Sequence, residues 1–171
     1  VTPAQLTTLK ADIAANPNPT GQPGSIYATV AVNLTPNNSD GNAAIAFWYD
    51  QATNPVKVVW RNAIPVYQVG QAMLSADVAN LTATNLTRLQ TLAQYALQGF
   101  TGSVDTEAGF NDIFSVAGAA GTRALLHNVW RRTALRIEAL FATGTGTDAV
   151  PATLVFEGQI SGGDVNTARN S

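Results

Sequence analysis

The chain contains no cysteine. Disulfides, thiolate nucleophiles and cysteine-based metal sites are therefore excluded, and the redox compartment is left open. Histidine occurs once, as His127. Any histidine-based triad or multi-histidine metal centre would have to be built on that residue, and it has no HExxH partner. Charge is also scarce: Asp, Glu, Lys and Arg make up 12% of the 171 residues, about half the usual share. The net charge of −2 gives no bulk attraction to nucleic acid or an anionic membrane. No apolar run approaches the ~18–20 residues that span a bilayer. The N-terminus has neither a basic nor an apolar leader region, so no signal peptide is expected.

What is present is apolar and neutral polar. The hydrophobic fraction is 46%, ordinary for a globular protein, and the length suits one domain with a genuine core. A surface of Thr, Asn, Gln, Ser and Ala is easy to pack against other subunits, since few ions must be desolvated; it also suits a merely neutral soluble protein.

The patterning predicts a mainly α, single-domain helical bundle over 1–171, with about five or six helices. An irregular Pro/Gly-rich arm occupies 16–42, with a short strand at 25–32. A helical body follows over 43–141, and a C-terminal extension over 142–171. Thr2 and Gln5 form a capping box around Pro3, opening a helix that ends before Asn16-Pro17. Further helices are expected at 43–53, 65–74 and 86–97, from Asp105, and after Asp164. Ser75 and Asp77 are expected in a connection, Val56–Trp60 is read as a strand or extended segment, and Thr153–Glu157 as the clearest strand.

The strongest helical pattern is Thr122–Phe141. At 100° per residue, Leu125, Leu126, Val129, Trp130, Thr133, Ile137, Leu140 and Phe141 share one stripe, with His127, Arg131 and Glu138 opposite. Arg123, Arg131, Arg132 and Arg136 also lie here. Arginine binds carboxylate or phosphate bidentately and is favoured at interfaces. Leu135 stands off the stripe beside them, so Arg131, Arg132, Leu135 and Arg136 are assigned to a subunit contact, together with Leu154 and Phe156 in the extension. The alternative for the arginines is local pairing.

No catalytic, cofactor or metal motif emerges. His127 reads as an exposed or hydrogen-bonded structural residue. Gly144-Thr145-Gly146-Thr147 lacks the phosphate-loop lysine and follows a helix rather than preceding one. The carboxylates are scattered. The densest set, Asp105, Glu107 and Asp112, is explained by a helix start. The three tryptophans, Trp48, Trp60 and Trp130, suit a core.

Four segments carry a resemblance: NNSDGNAAIA at 37–46, VVWRN at 58–62, FNDIFSVAGAAGTRA at 110–124 and RIEALFATGTGTDAVPATLVFEG at 136–158. They are similar to a widespread family of tailed-bacteriophage proteins with an LFATGTG…PAT…FEG ending, associated with virion structural genes. The resemblance brings no catalytic or ligand residue with it. It implies a virion component assembled in the host cytoplasm. For a helical protein of this size the implied role is a head–tail connector or adaptor, a ring (dodecameric in that class) between portal and tail proteins. Capsid decoration or a tail-associated role are the alternatives within the virion. A nucleic-acid-binding module using the four arginines of 122–141, making no specific DNA contact, is a second class. A hydrolase around His127 is a third.

Overall fold

The computed structural model describes residues 1–15, 39–96 and 99–171. The expected strand at 25–32, and the arm as far as residue 38, lie outside the described residues. Nine α-helices and one two-stranded sheet occur among those described. They gather into two compact units that share the chain discontinuously: Val1–Lys57, Thr133–Thr143 and Leu154–Ser171 in the first, Val58–Arg132 and Gly144–Thr153 in the second.

The first unit contains α1 (Pro3–Ala15), α2 (Ser39–Tyr49), α8 (Arg136–Phe141) and α9 (Gly162–Asn170). The capping box opens α1 as expected: Thr2 N–H donates to Gln5 Oε1 at 2.8 Å, and Gln5 N–H to Thr2 Oγ1 at 3.3 Å. Helix α2 begins at Ser39 rather than residue 43, so 39–42 belong to a helix and not to the arm. Leu9, Ile13, Ile45, Tyr49, Ile137, Ile160 and Val165 form the core. The contact of α2 with α9 depends on small residues. A Cβ at Gly162 would lie 3.1 Å from the Ala43 nitrogen. Asn42, buried at this contact, donates from Nδ2 to Asn166 Oδ1 at 3.1 Å and accepts from Arg169 Nη1 at 2.7 Å. Helix α9 opens on a capping box between Ser161 and Asp164.

The second unit contains β1 (Val58–Trp60), α3 (Val66–Ala72), α4 (Ser75–Ala79), α5 (Ala83–Tyr95), α6 (Val104–Ile113), a 3-10 turn (Ala117–Ala119) and α7 (Ala120–Trp130). Strand β2 (Arg131–Thr133) begins here, and its last residue starts the returning segment of the first unit. The core is Trp60, Ile64, Val69, Phe110, Ile113, Phe114, Leu126 and Trp130, with Phe110 and Trp130 ring centroids 5.0 Å apart. Thr82 and Ser103 cap α5 and α6 through Asn85 N–H and Thr106 N–H.

Several expectations are corrected. Thr122–Phe141 is not one helix. Helix α7 stops at Trp130, Arg131 is extended (φ −136°, ψ 162°), and a separate helix starts at Arg136. Pairing with β1 competes with the helix at this point: Arg61 N–H donates to the Trp130 carbonyl at 3.0 Å. The break resets the phase of the stripe. Arg131 and Glu138, expected outward, are buried, and Thr133, expected inward, is exposed. Ser75 and Asp77 lie in α4, not in a connection. Thr153–Glu157 is not a strand; the neighbouring Ala152 makes a parallel bridge to Val59. The helix count exceeds five or six because pieces as short as α4 and α8 carry too little periodicity to register.

Candidate functional site: a histidine held between two carboxylates

All the residues of this site belong to the second unit. Ser103 accepts the Thr106 N–H and fixes the start of α6, which places Glu107 in its first turn. Helix α7 carries His127 in its last turn, and β2 begins with Arg131. Asp148 comes from the loop over 144–153. That loop turns on Gly144 and Gly146, whose φ values of 104° and 75° lie in the left-handed region that favours glycine.

His127 Nδ1 is 2.8 Å from Glu107 Oε1, and its Nε2 is 3.2 Å from each oxygen of Asp148. Arg131 closes the group. Its Nη2 donates to Glu107 Oε2 and its Nη1 to the Asp148 carbonyl oxygen, while Nη1 lies 3.5 Å from Asp148 Oδ1. The Arg131 side chain is only 6% exposed, and its guanidinium stacks over the Trp60 ring at 4.9 Å. Two carboxylates thus face one permanent and one titratable cation. The hydrogen bond from His127 is the main cause holding the Asp148 carboxyl below the usual carboxylate range. Desolvation, the next largest effect, opposes it, and the charges of His127 and Arg131 act in the same direction as the hydrogen bond.

A nucleophile–base pair needs a hydroxyl or thiol against an imidazole nitrogen. Here both nitrogens meet carboxylate oxygens, and what the arrangement does is fasten loop 144–153 to α6 and α7. No group of three or more His, Asp and Glu able to hold a metal ion occurs among the described residues. His127 is therefore a hydrogen-bonded residue, one of the two forms expected of it. Glu107 is more than a helix-start charge. Neither acid was legible as its partner, because they lie 20 and 21 residues from His127 on different elements.

The six residues assigned to a subunit contact fall as follows. Arg131 is buried and paired within the chain, and Arg132 is half-buried. Leu135 packs on the first unit's core, and Leu154 is buried. Arg136 Nη1 donates to the Trp48 carbonyl at 3.1 Å and to Gln51 Oε1 at 3.0 Å, with its guanidinium 4.4 Å above the Trp48 ring. Phe156 meets Phe141 edge-on at 5.8 Å. For Arg131 and Arg136 local pairing accounts for the side chain. Arg123 also works internally, donating to the carbonyls of Phe114 and Val116 beyond the end of α6. The continuous arginine-bearing helix expected of a nucleic-acid-binding face is absent. Exposed apolar side chains lie elsewhere: Phe47 and Val155 in the first unit, Tyr67, Val104 and Val150 in the second.

No protein-family model, curated protein or solved structure matches the chain. No helix among the described residues is long and apolar enough to cross a membrane.

Proposed function

We propose that this protein is a structural component of a tailed-bacteriophage virion, acting as an oligomeric connector or adaptor ring between portal and tail proteins. One observation carries the reading: the residues that resemble the virion family are residues that build the fold. Glu138 of RIEALF is buried and accepts the Leu135 N–H at 2.8 Å and the Gly158 N–H of the FEG ending at 3.0 Å. Gly158 itself takes φ 120°. Ala152 of PAT exchanges hydrogen bonds with β1, donating to the Val58 carbonyl at 2.9 Å and accepting from Trp60 N–H at 3.0 Å. In FNDIFSVAGAAGTRA, Phe110, Ile113, Phe114 and Ala119 are core, and Thr122 is fully buried. A motif spent on folding suits a protein whose work is to hold a shape.

The mainly helical fold and the low charge support the same reading. Exposed Phe47, Val155, Tyr67, Val104 and Val150 supply apolar contacts for neighbours. A tail-associated or capsid-decoration role is the alternative within the virion.

The test is the composition and reconstruction of intact particles from the encoding phage. The expected result is several copies of this chain in a closed ring at the head–tail junction, and an oligomer when the purified protein is sized by light scattering. Absence of the chain from intact particles overturns the proposal.

A further inference from the structure

We infer that loop 144–153 is held by a pH-dependent latch, closed when His127 is an imidazolium that joins Glu107 and Asp148. A carboxylate only accepts hydrogen bonds, and a neutral imidazole has one N–H, so it can donate to one carboxylate and not to two. The geometry places carboxylate oxygens at both ring nitrogens, at 2.8 Å and 3.2 Å. Only the doubly protonated ring satisfies both.

The two arms are unequal. The Glu107 side chain is 17% exposed and shares Arg131, whereas that of Asp148 is 71% exposed. On deprotonation the remaining N–H stays with Glu107, which water serves poorly, and Asp148 turns to solvent. The loop beside it is pinned at both ends by β1, since Val58 N–H donates to the Gly146 carbonyl at 2.7 Å and Trp60 N–H to that of Ala152 at 3.0 Å. Release is therefore confined to the crest. There, Gly146 N–H and Thr147 N–H both donate to the Val150 carbonyl at 3.1 Å, and Val150 N–H to Thr147 Oγ1 at 3.0 Å. The exposed Val150 side chain sits on this crest, so the latch sets how firmly an apolar contact is presented.

The other groups around His127 do not duplicate the switch. Arg131 is a permanent cation and holds the Asp148 carbonyl in either state. Arg123, one turn earlier on α7, is engaged with the Phe114 and Val116 carbonyls. Helix α3, packed against α7, offers only Tyr67, whose hydroxyl accepts from Gln68 Nε2 at 3.3 Å. The 3-10 turn has no titratable residue, and besides Glu107 helix α6 carries the exposed Asp105 and Asp112, the latter paired with Arg88 at 2.7 Å. The latch also opens in acid, when Asp148 takes up a proton. Because its carboxyl is held below the ordinary range, that limit lies under the usual aspartate value of about 3.9.

Amide hydrogen exchange of the full chain, followed by NMR from about pH 5 to 8.5 and corrected for intrinsic exchange, tests this. Protection at Gly146, Thr147 and Val150 is expected to fall by about two- to fivefold as His127 deprotonates, the scale of an exposed charged pair. His127→Gln and Asp148→Asn should abolish that dependence while keeping protection at Trp60 and Ala152. Asp148→Asn, at an exposed side chain, carries the comparison if His127→Gln fails to fold. A flat wild-type profile, or the same pH dependence in the variants, overturns the latch.

Discussion

Thr122 gives both of its donors to one oxygen of Asp77: its hydroxyl lies 2.6 Å and its backbone N–H 3.2 Å from Asp77 Oδ2. The same hydroxyl accepts the Leu74 N–H at 3.0 Å, so one buried side chain ties the start of α7 to the entrance of α4. Thr122→Val keeps the shape and removes all hydroxyl contacts, leaving a buried carboxylate oxygen and an N–H short of partners. A loss of about 2–3 kcal/mol is expected in denaturant unfolding. Thr122→Ser keeps the polar contacts and drops one methyl, for about 1 kcal/mol. Equal stability of the valine variant and the wild type would remove Thr122 from this role.

Gly102 and Gly70 should respond in opposite directions to alanine. A Cβ at Gly102 would stand 2.3 Å from the Trp130 carbonyl oxygen and 3.2 Å from the Arg61 backbone nitrogen and oxygen. All three atoms are backbone, and Gly102 N–H also donates to the Arg61 carbonyl at 2.7 Å, so the neighbours have no side chain to move aside. Gly102→Ala is expected to cost about 3 kcal/mol or more. Gly70 lies inside α3 with open space around its Cβ direction. There alanine lowers the entropy of the unfolded chain and gains about 0.5–1 kcal/mol. Thermal midpoints of the two variants check both signs.

Local signals were legible in the sequence, and non-local ones were not. Thr2 and Gln5 sit three residues apart, and their capping box reads directly from the chain. Strand β1 was visible as a β-branched run, and Trp60 and Trp130 were expected in the core and are buried. The break after Trp130 was not visible. The apolar spacing continues through it, and what ends the helix is β1, more than 60 residues earlier in the chain. Helix phase then misassigned Arg131 and Glu138, whose burial depends on Glu107 in one case and Gly158 in the other. Tertiary pairing overrode a strong local periodicity at both places. The functional reading rests on the resemblance.

Glu138→Gln tests whether the RIEALF…FEG contact needs a carboxylate. Each Glu138 oxygen faces a backbone donor, Leu135 N–H on one side and Gly158 N–H on the other. A carboxylate accepts at both oxygens, whereas glutamine must present an NH2 to one of them, and two donors then oppose each other in a buried site. A loss of about 1–3 kcal/mol is expected. It should appear as a lower unfolding midpoint together with faster exchange at the Gly158 amide. Retained protection at that amide would show that the contact tolerates the amide group.

Asp50→Asn should act in the reverse direction. Asp50 Oδ1 accepts the Ile160 N–H at 3.0 Å. Burial is the main cause pushing its carboxyl up from the ordinary value. The Ile160 hydrogen bond opposes that rise, while the charges of Asp164 and Glu138 add to it. A folded-state value above the unfolded one favours folding fully below the unfolded value of about 3.9, and that contribution is lost as pH rises through the folded value. At neutral pH the folded protein therefore carries a charge it would hold more easily unfolded. Asparagine keeps an oxygen acceptor for Ile160 N–H without the charge. The variant is expected to be more stable at neutral pH by less than about 1 kcal/mol, because partial exposure screens the charge, or no more than about 2–4 °C in the thermal midpoint. The difference should shrink on acidification, as wild-type Asp50 takes up its proton. A variant less stable at neutral pH, with a deficit that disappears in acid, would mean that the ionised oxygen makes a contact worth more than its burial costs.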